Sequence, residues 1–163
     1  MSKVSLTEFA GKVRQKSRIS FGDVQRLQRD ILPDGLGSRA EAELLIDLDR
    51  DVARADPAWS GFLVASLVEF VVWAERPTGI VDEDTGRWLA AALTGDGAAR
   101  TRTARLIARE IVEEAQAFEN DALAALAASL AKPKPRRAGP DLWEPLSARE
   151  RRAAASESLN ASA

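Results

Sequence analysis

The chain contains no cysteine, histidine or tyrosine, and only one methionine among its 163 residues. These absences exclude Cys/His zinc sites, thiol nucleophiles, Ser-His-Asp triads and imidazole acid–base chemistry. No Gly-rich phosphate loop follows a strand pattern, and no nucleophile motif is present. We therefore expect a protein that is not an enzyme and that uses no cofactor.

The sequence also lacks a segment typical of a signal peptide or a membrane span. Residues 1–8 contain no apolar core of the kind that directs secretion. The longest apolar stretch, Phe62–Trp73, is interrupted by Ser66 and Glu69 and is shorter than the ~20 residues that cross a bilayer. We expect a soluble cytoplasmic protein without membrane contact, and the absence of cysteine leaves no disulfide framework that would indicate secretion.

Length and charge favour one compact domain followed by a distinct tail. A chain of 163 residues can bury about 70% of its unfolded surface without a metal or a disulfide. The net charge of −2 is uneven, because residues 132–163 hold seven Lys or Arg against four Asp or Glu, and residues 1–131 carry −5. An acidic body argues against a nucleic-acid surface over the whole domain.

One pattern occurs twice. Residues 23–45 and 84–107 each contain an apolar-periodic helix, an Asp-Gly turn and a second helix whose apolar pair begins ten residues after the turn aspartate. The segment between them, residues 57–75, is apolar nearly all round, as expected for a central helix. A repeated helical hairpin indicates architecture more than chemistry.

Helix start signals support an all-α fold. Ser5 and Ser38 open capping boxes, Asp56 precedes a proline at the first helical position, and Asp82 is a further N-cap. One long helix is expected over residues 101–130, and no window alternates with period two. We predict a single helical bundle of about six helices in residues 1–131, built from two pseudo-repeated helix–turn–helix hairpins around the central apolar helix.

The first turn invites comparison with a calcium-binding EF-hand loop. Counted from Asp30, it matches at positions 5, 6, 9 and 12. Leu32 stands at position 3, where an oxygen ligand belongs, and the second turn keeps only its Asp96-Gly97 pair. We interpret both as structural turns, the first a degenerate EF-hand-like one, and predict no metal ligand.

The helix after the first turn carries a row of acids. A divalent ion or a basic partner are alternatives that this row leaves open, but we favour a solvated helix face balanced in part by arginines. The row consists of Glu41, Glu43, Asp47, Asp49 and Asp51, and the arginines are Arg39, Arg50 and Arg54.

The four tryptophans fall into two groups. Trp59, Trp73 and Trp88 lie on apolar helix faces, which predicts core packing. Trp143 lies beyond a Pro-rich linker, in a short apolar cluster that either folds back on the body or docks on another protein.

Residues 132–163 are predicted to be an extended tail with a Pro-rich basic linker and a short helix. The linker's basic run is either a solvated spacer or a weak, salt-sensitive phosphate contact. The candidate partner-binding residues are Lys132, Lys134, Arg136, Arg137, Leu142, Trp143 and Leu146.

Several phrases resemble a known group of proteins. Asp30–Gly35, Ser38–Ala42, Asp56–Trp59 and Trp88-Leu89 are similar to the TerB-like small all-helical bacterial proteins, and more so to a helical family common in alphaproteobacteria. The similarity covers about residues 20–115. It implies an all-helical fold, and TerB-like proteins are associated with tellurite and stress responses and in some members with metal binding. Their acidic positions have no match here, so no metal site follows.

We therefore predict a non-enzymatic protein-interaction or adaptor module that binds a protein partner through its C-terminal tail. Two alternatives stay open. One is a divalent-metal-associated or stress-response protein, as the resemblance implies. The other is a weak nucleic-acid accessory factor acting through the basic tail.

Overall fold

A computed structural model describes residues 5–74, 76–95, 101–119 and 121–130, with side chains to residue 128. Over these ranges the protein is an all-α bundle, which confirms the predicted fold class. α2 and α4 continue without a break into π-helical turns, Leu27–Ile31 and Glu69–Ala74. The seven helices are α1 (Leu6–Lys16), α2 (Phe21–Arg26), α3 (Arg39–Asp51), α4 (Pro57–Val68), α5 (Glu83–Thr94), α6 (Arg102–Glu114) and α7 (Ala122–Leu130).

Two short parallel strand pairs join the loops that precede helices. β1 (Arg18–Ile19) pairs with β2 (Arg54–Ala55), and β3 (Ile80–Val81) pairs with β4 (Ala117–Phe118). The expectation of no strands is therefore wrong, because a two-residue strand is too short to show alternation in the sequence.

The second strand pair also overturns the single helix expected over residues 101–130. The chain leaves α6 after Glu114, is extended through β4, and re-enters helix at Ala122. The Glu119 N–H donates to the Val81 carbonyl at 2.9 Å, and this bond fixes the break between α6 and α7.

The doubled hairpin is confirmed and proves longer than the sequence indicated. The first repeat runs β1-α2-α3-β2-α4 and the second runs β3-α5-α6-β4-α7. Fully buried residues recur 62 positions apart in the hairpins, Leu27 with Leu89 and Leu45 with Ile107. The spacing becomes 63 after the second strand, where Leu63 corresponds to Leu126. The repeat seen in the sequence was one residue out of register where its copies begin, at Asp23 and Asp84, and in register from the turn aspartates Asp34 and Asp96 onward.

α4 belongs to both repeats, and this explains its composition. Its first part closes the first repeat with the buried residues Trp59, Leu63 and Leu67. Its π-helical end precedes β3 as α1 precedes β1, and it buries Phe70, Val71 and Val72. A helix that packs in two directions needs apolar residues on more than one side.

The helix Pro57–Ala74 is long and apolar enough, by length and composition alone, to cross a membrane. No other helix among the described residues meets that test. The apolar stretch is thus longer than the sequence analysis allowed. A core helix of a soluble protein has the same properties, although here only 33% of the 18-residue window is buried. The cytoplasmic location stays a prediction.

The predicted N-caps form at each helix start that the structure describes, but the full capping box predicted at Ser38 does not. Ser5 makes a full capping box with Glu8, and Asp56 accepts from the Ala58 N–H with Pro57 in the first turn. Ser38 accepts from the Glu41 N–H, but the Glu41 carboxylate turns back to the Gly37 N–H at 2.8 Å. The residue at EF-hand position 12 is thus engaged in closing its own turn.

Two carboxyl groups at helix starts have lowered pKa values. Burial opposes the shift at Asp23, but hydrogen bonds from Lys16 and Ser20 outweigh it and keep the pKa of Asp23 below its ordinary value. At Asp82 the Thr85 N–H, 2.6 Å away, and the Thr85 hydroxyl lower the pKa.

Candidate functional site

An open groove of about 480 Å³ lies between α4 and α6. α4 contributes no charged residue over Pro57–Val68, so its outward side presents apolar and small residues to the groove. The apolar lining is Gly61, Val64, Ala65, Val68, Trp73 and Leu106.

The two helices run in the same direction along the groove. Near their N-terminal ends the hydroxyl oxygens of Ser60 and Thr103 lie 3.4 Å apart. Past their C-terminal ends the chain enters β3 and β4, which pair in parallel. The groove therefore has two unlike ends, one at the helix N-termini and one at the C-termini.

The floor of the groove permits close approach of another segment. Gly61 and Ala65 are exposed and one helical turn apart, so they share one face. A Cβ added at Gly61 would meet no atom within 4 Å. A second hollow of about 440 Å³, lined in part by Phe62 and Ser66, lies on the other side of the same two residues.

Trp73 marks the C-terminal end of the groove. Its side chain is 37% exposed, so the prediction that it packs in the core is wrong. The other two predictions hold to different degrees: Trp59 is fully buried, and Trp88 is half-buried with its ring edge on Phe70. Periodicity placed Trp73 on an apolar face, but that face is the one that no described segment covers.

Three carboxylates surround the same end. Glu69 and Glu114 are exposed, Glu110 is half-buried, and all three line the groove. Arg109 approaches Glu110 only at 3.9 Å and is engaged more closely, at 2.9 Å, with Glu113, which does not line the groove. Neither Glu69 nor Glu114 has an ion-pair partner among the described residues.

The acidic row on α3 is in part the solvated, arginine-balanced face that was expected, since Glu43 and Asp51 are exposed and Asp47 pairs with Arg50, and in part a set of tertiary contacts. Asp49 accepts from the Trp59 indole N–H at 2.9 Å and from the Thr101 hydroxyl at 2.6 Å. Glu43 accepts from the Trp88 indole N–H at 2.6 Å. The remaining acids pair locally or with α1: Glu41 with the Gly37 N–H, Asp47 with Arg50 and Asp51 with Arg14.

Arg39 on the same helix joins the two repeats. Its guanidinium donates to Asp84 at 2.7 Å and to the buried Thr85 hydroxyl at 2.9 Å, and it lies 5.0 Å from the Trp88 ring centroid. These contacts join α3 to α5, and Glu43 and Asp47 of the row line a small hollow with Arg50. No group of three or more potential metal ligands occurs in the described ranges.

The seven tail residues predicted to bind a partner all lie outside the described residues. The same holds for the Asp96-Gly97 turn. Of the features emphasised by the sequence analysis, the structure therefore brings only α4 and Trp73 to a candidate site. The sequence signal for the groove was the excess of apolar residues on α4, more than one buried face requires.

Comparison of the chain with protein-family models, curated proteins and solved structures returned no match. The resemblance to TerB-like proteins thus stays a prediction from the sequence.

Proposed function

We propose that this protein is a non-enzymatic interaction module that binds an apolar segment of a partner protein in the α4/α6 groove. The observation that carries the proposal is the open apolar groove beside the exposed Trp73. Exposed apolar surface that is contiguous and edged by polar groups is typical of protein-binding sites.

The surrounding contacts support a rigid site. The Asp49 carboxylate of α3 accepts hydrogen bonds from both Trp59 and Thr101, which lie at the starts of α4 and α6. The two helices that form the groove are thereby tied to a third helix, and a preformed site loses little freedom on binding.

The groove can be tested by placing a charge in its floor. Ala65 is exposed, so Ala65→Asp is expected to leave the fold intact. It should weaken the affinity for the partner at least tenfold, because binding would bury an unpaired carboxylate. The matched control is Ala124→Asp on α7, which is also exposed on an uncharged helix and does not line the groove.

The measurement is co-purification of cross-linked partners with the full chain, followed by affinity measurement for each partner identified. Loss of binding in Ala65→Asp but not in Ala124→Asp is the expected result. Equal binding by both variants would contradict the groove as the binding site.

The tail remains a separate part of the proposal. We propose that Leu142, Trp143, Leu146 and the basic run form a second partner-binding segment, on the ground of their composition alone. Deletion of residues 132–163 is then expected to weaken or abolish at least one interaction in the same assay. A deletion variant that keeps every interaction would remove the tail from the account.

A further inference from the structure

Building on the proposed function, we infer that the groove's partner is a cationic amphipathic helix, with an aliphatic face on α4 and its Lys or Arg residues over the C-terminal ends of α4 and α6. The two repeats differ in the charged residues at the C-terminal ends of equivalent helices.

In the first repeat, α1 and α3 lie together and lead into the parallel pair β1 and β2, just as α4 and α6 lead into β3 and β4. The C-terminus of a helix carries partial negative charge, which nearby cations stabilise. The last turn of α1 contains Arg14 and Lys16, and that of α3 contains Arg50. These helix ends therefore carry cations of the chain itself, each of which also pairs with an aspartate.

In the second repeat the equivalent ends have no such cations. The last turns of α6 and of the π-helical continuation of α4 contain no basic residue. Three groove-lining carboxylates lie near these ends instead: Glu114 is the last residue of α6, Glu110 lies one turn before it, and Glu69 is the first residue of the π-helical continuation. Arg76, just beyond the end, lines a different hollow with Pro77 and Thr78. Carboxylates at two parallel helix ends repel the local dipoles, so this place favours a cation supplied from outside.

The shape of the site specifies the rest of the partner. Gly61 and Ala65 leave room for a helix to approach closely, and the hollows on either side can take aliphatic side chains. Trp73 lies beside the carboxylates, and a Lys or Arg that reaches them can also lie against its ring. An acidic or purely apolar helix would meet the same floor but leave the carboxylates unpaired.

The test uses two synthetic helical peptides of the same length with identical Ala/Leu faces, one bearing lysines and the other glutamates at the same flanking positions. Anisotropy titrations with the full chain at low ionic strength are expected to show the lysine peptide binding at least tenfold more tightly. The preference is expected to shrink in 0.5 M NaCl because salt screens charge pairs.

The key variant is Glu69→Gln/Glu110→Gln/Glu114→Gln, which should reduce binding of the lysine peptide at least tenfold without changing the unfolding temperature much. The control Asp30→Asn/Asp34→Asn/Glu119→Gln removes the same charge from exposed carboxylates outside the groove and should bind as the parent does. Equal losses of lysine-peptide affinity in the two variants would overturn the inference, because the peptide would then be attracted by the overall negative charge and not by the groove carboxylates.

The outcomes separate this inference from the proposed function. Equal binding of both peptides, abolished by Ala65→Asp, would overturn the cationic preference and leave the groove intact. Binding of neither peptide, or binding that Ala65→Asp does not affect, would contradict both. Self-association in sedimentation that Ala65→Asp abolishes would show that a second copy occupies the groove and would also overturn the inference.

Discussion

The two repeats contain the same five elements, but equivalent buried positions hold side chains of very different size. Where α2 has Val24 and α4 has Trp59, the equivalent positions on α5 and α7 are Gly86 and Ala122. The first repeat therefore has large side chains at these positions and the second has very small ones. The same topology can therefore have different core residues, because helices with small side chains pack closer together and helices with large side chains pack farther apart.

The repeats also differ in the helix that precedes each of them. The first repeat is bordered by α1, a separate helix, whereas the second begins with the end of α4. The groove lies on the outer side of α4, the helix that the two repeats share, beside α6.

The largest effect is expected from making the second repeat more like the first at Gly86. A Cβ there would lie 2.6 Å from the Ala122 Cβ and 2.8 Å from its Cα, so Gly86→Ala must push α5 and α7 apart. We expect a loss of about 2 kcal/mol in the free energy of unfolding, measured by urea denaturation.

The matched control for Gly86→Ala is Gly11→Ala, in the interior of α1, where an added Cβ meets nothing within 4 Å. It should stabilise the protein by about 0.5–1 kcal/mol, since alanine has the higher helix propensity. A Gly86→Ala protein as stable as the parent would show that α5 and α7 are farther apart than described.

The helix caps give the next effect. Ser20 caps α2 and its equivalent Asp82 caps α5, so of these two equivalent caps only the one in the second repeat titrates. Asp82→Ala should cost about 1 kcal/mol at pH 7, whereas Asp82→Ser should cost less because serine also caps well.

The pH dependence of this cap follows from its lowered pKa. A carboxyl group with a lower pKa in the folded state stabilises the protein above its unfolded pKa of about 3.9, and this stabilisation is lost as the pH falls through the folded value. The stability difference between parent and Asp82→Ala should thus be constant from pH 7 to about 5 and shrink below pH 4. A difference that grows toward low pH would contradict the assignment. The pKa of Asp23 is also lowered, but Asp23 is present in both proteins and its contribution cancels in this difference.

The smallest effect concerns the strand pairs. Arg18 and Arg54 are direct partners in the first pair, and both are exposed, whereas Ile80 and Ala117 occupy the equivalent places in the second. Like charges opposite each other on paired strands repel, so Arg54→Glu should stabilise the protein by a few tenths of a kcal/mol at low salt, and less in 0.5 M NaCl. Arg29→Glu, exposed and outside the strands, serves as the control.

The features that could be predicted from the sequence, the helix caps and the first turn, depend on residues that are close together along the chain. Ser5, Asp56 and Asp82 cap helices as expected, because an N-cap needs only residues two or three positions away. Gly35 adopts a positive φ of 81° in the first turn for the same local reason.

What could not be predicted depends on partners distant in the chain. Asp49 is on a polar helix face, yet Trp59 and Thr101 cover it, and no spacing in the sequence shows this. Trp73 has the apolar spacing of a core residue, yet its face is open. The excess of apolar residues on α4 indicated an uncovered face but not the position of the groove, because the groove is formed by residues some 40 positions apart, as at Ser60 and Thr103.

The central claim is that the α4/α6 groove binds a cationic helix, and backbone amide NMR of the full chain titrated with the lysine peptide tests it most directly. We predict that the shifts are largest at Gly61, Val64, Val68, Leu106 and Glu110, with little change at α1 and α2. Perturbations concentrated away from α4 and α6, or none at peptide concentrations that saturate the anisotropy signal, would contradict the account.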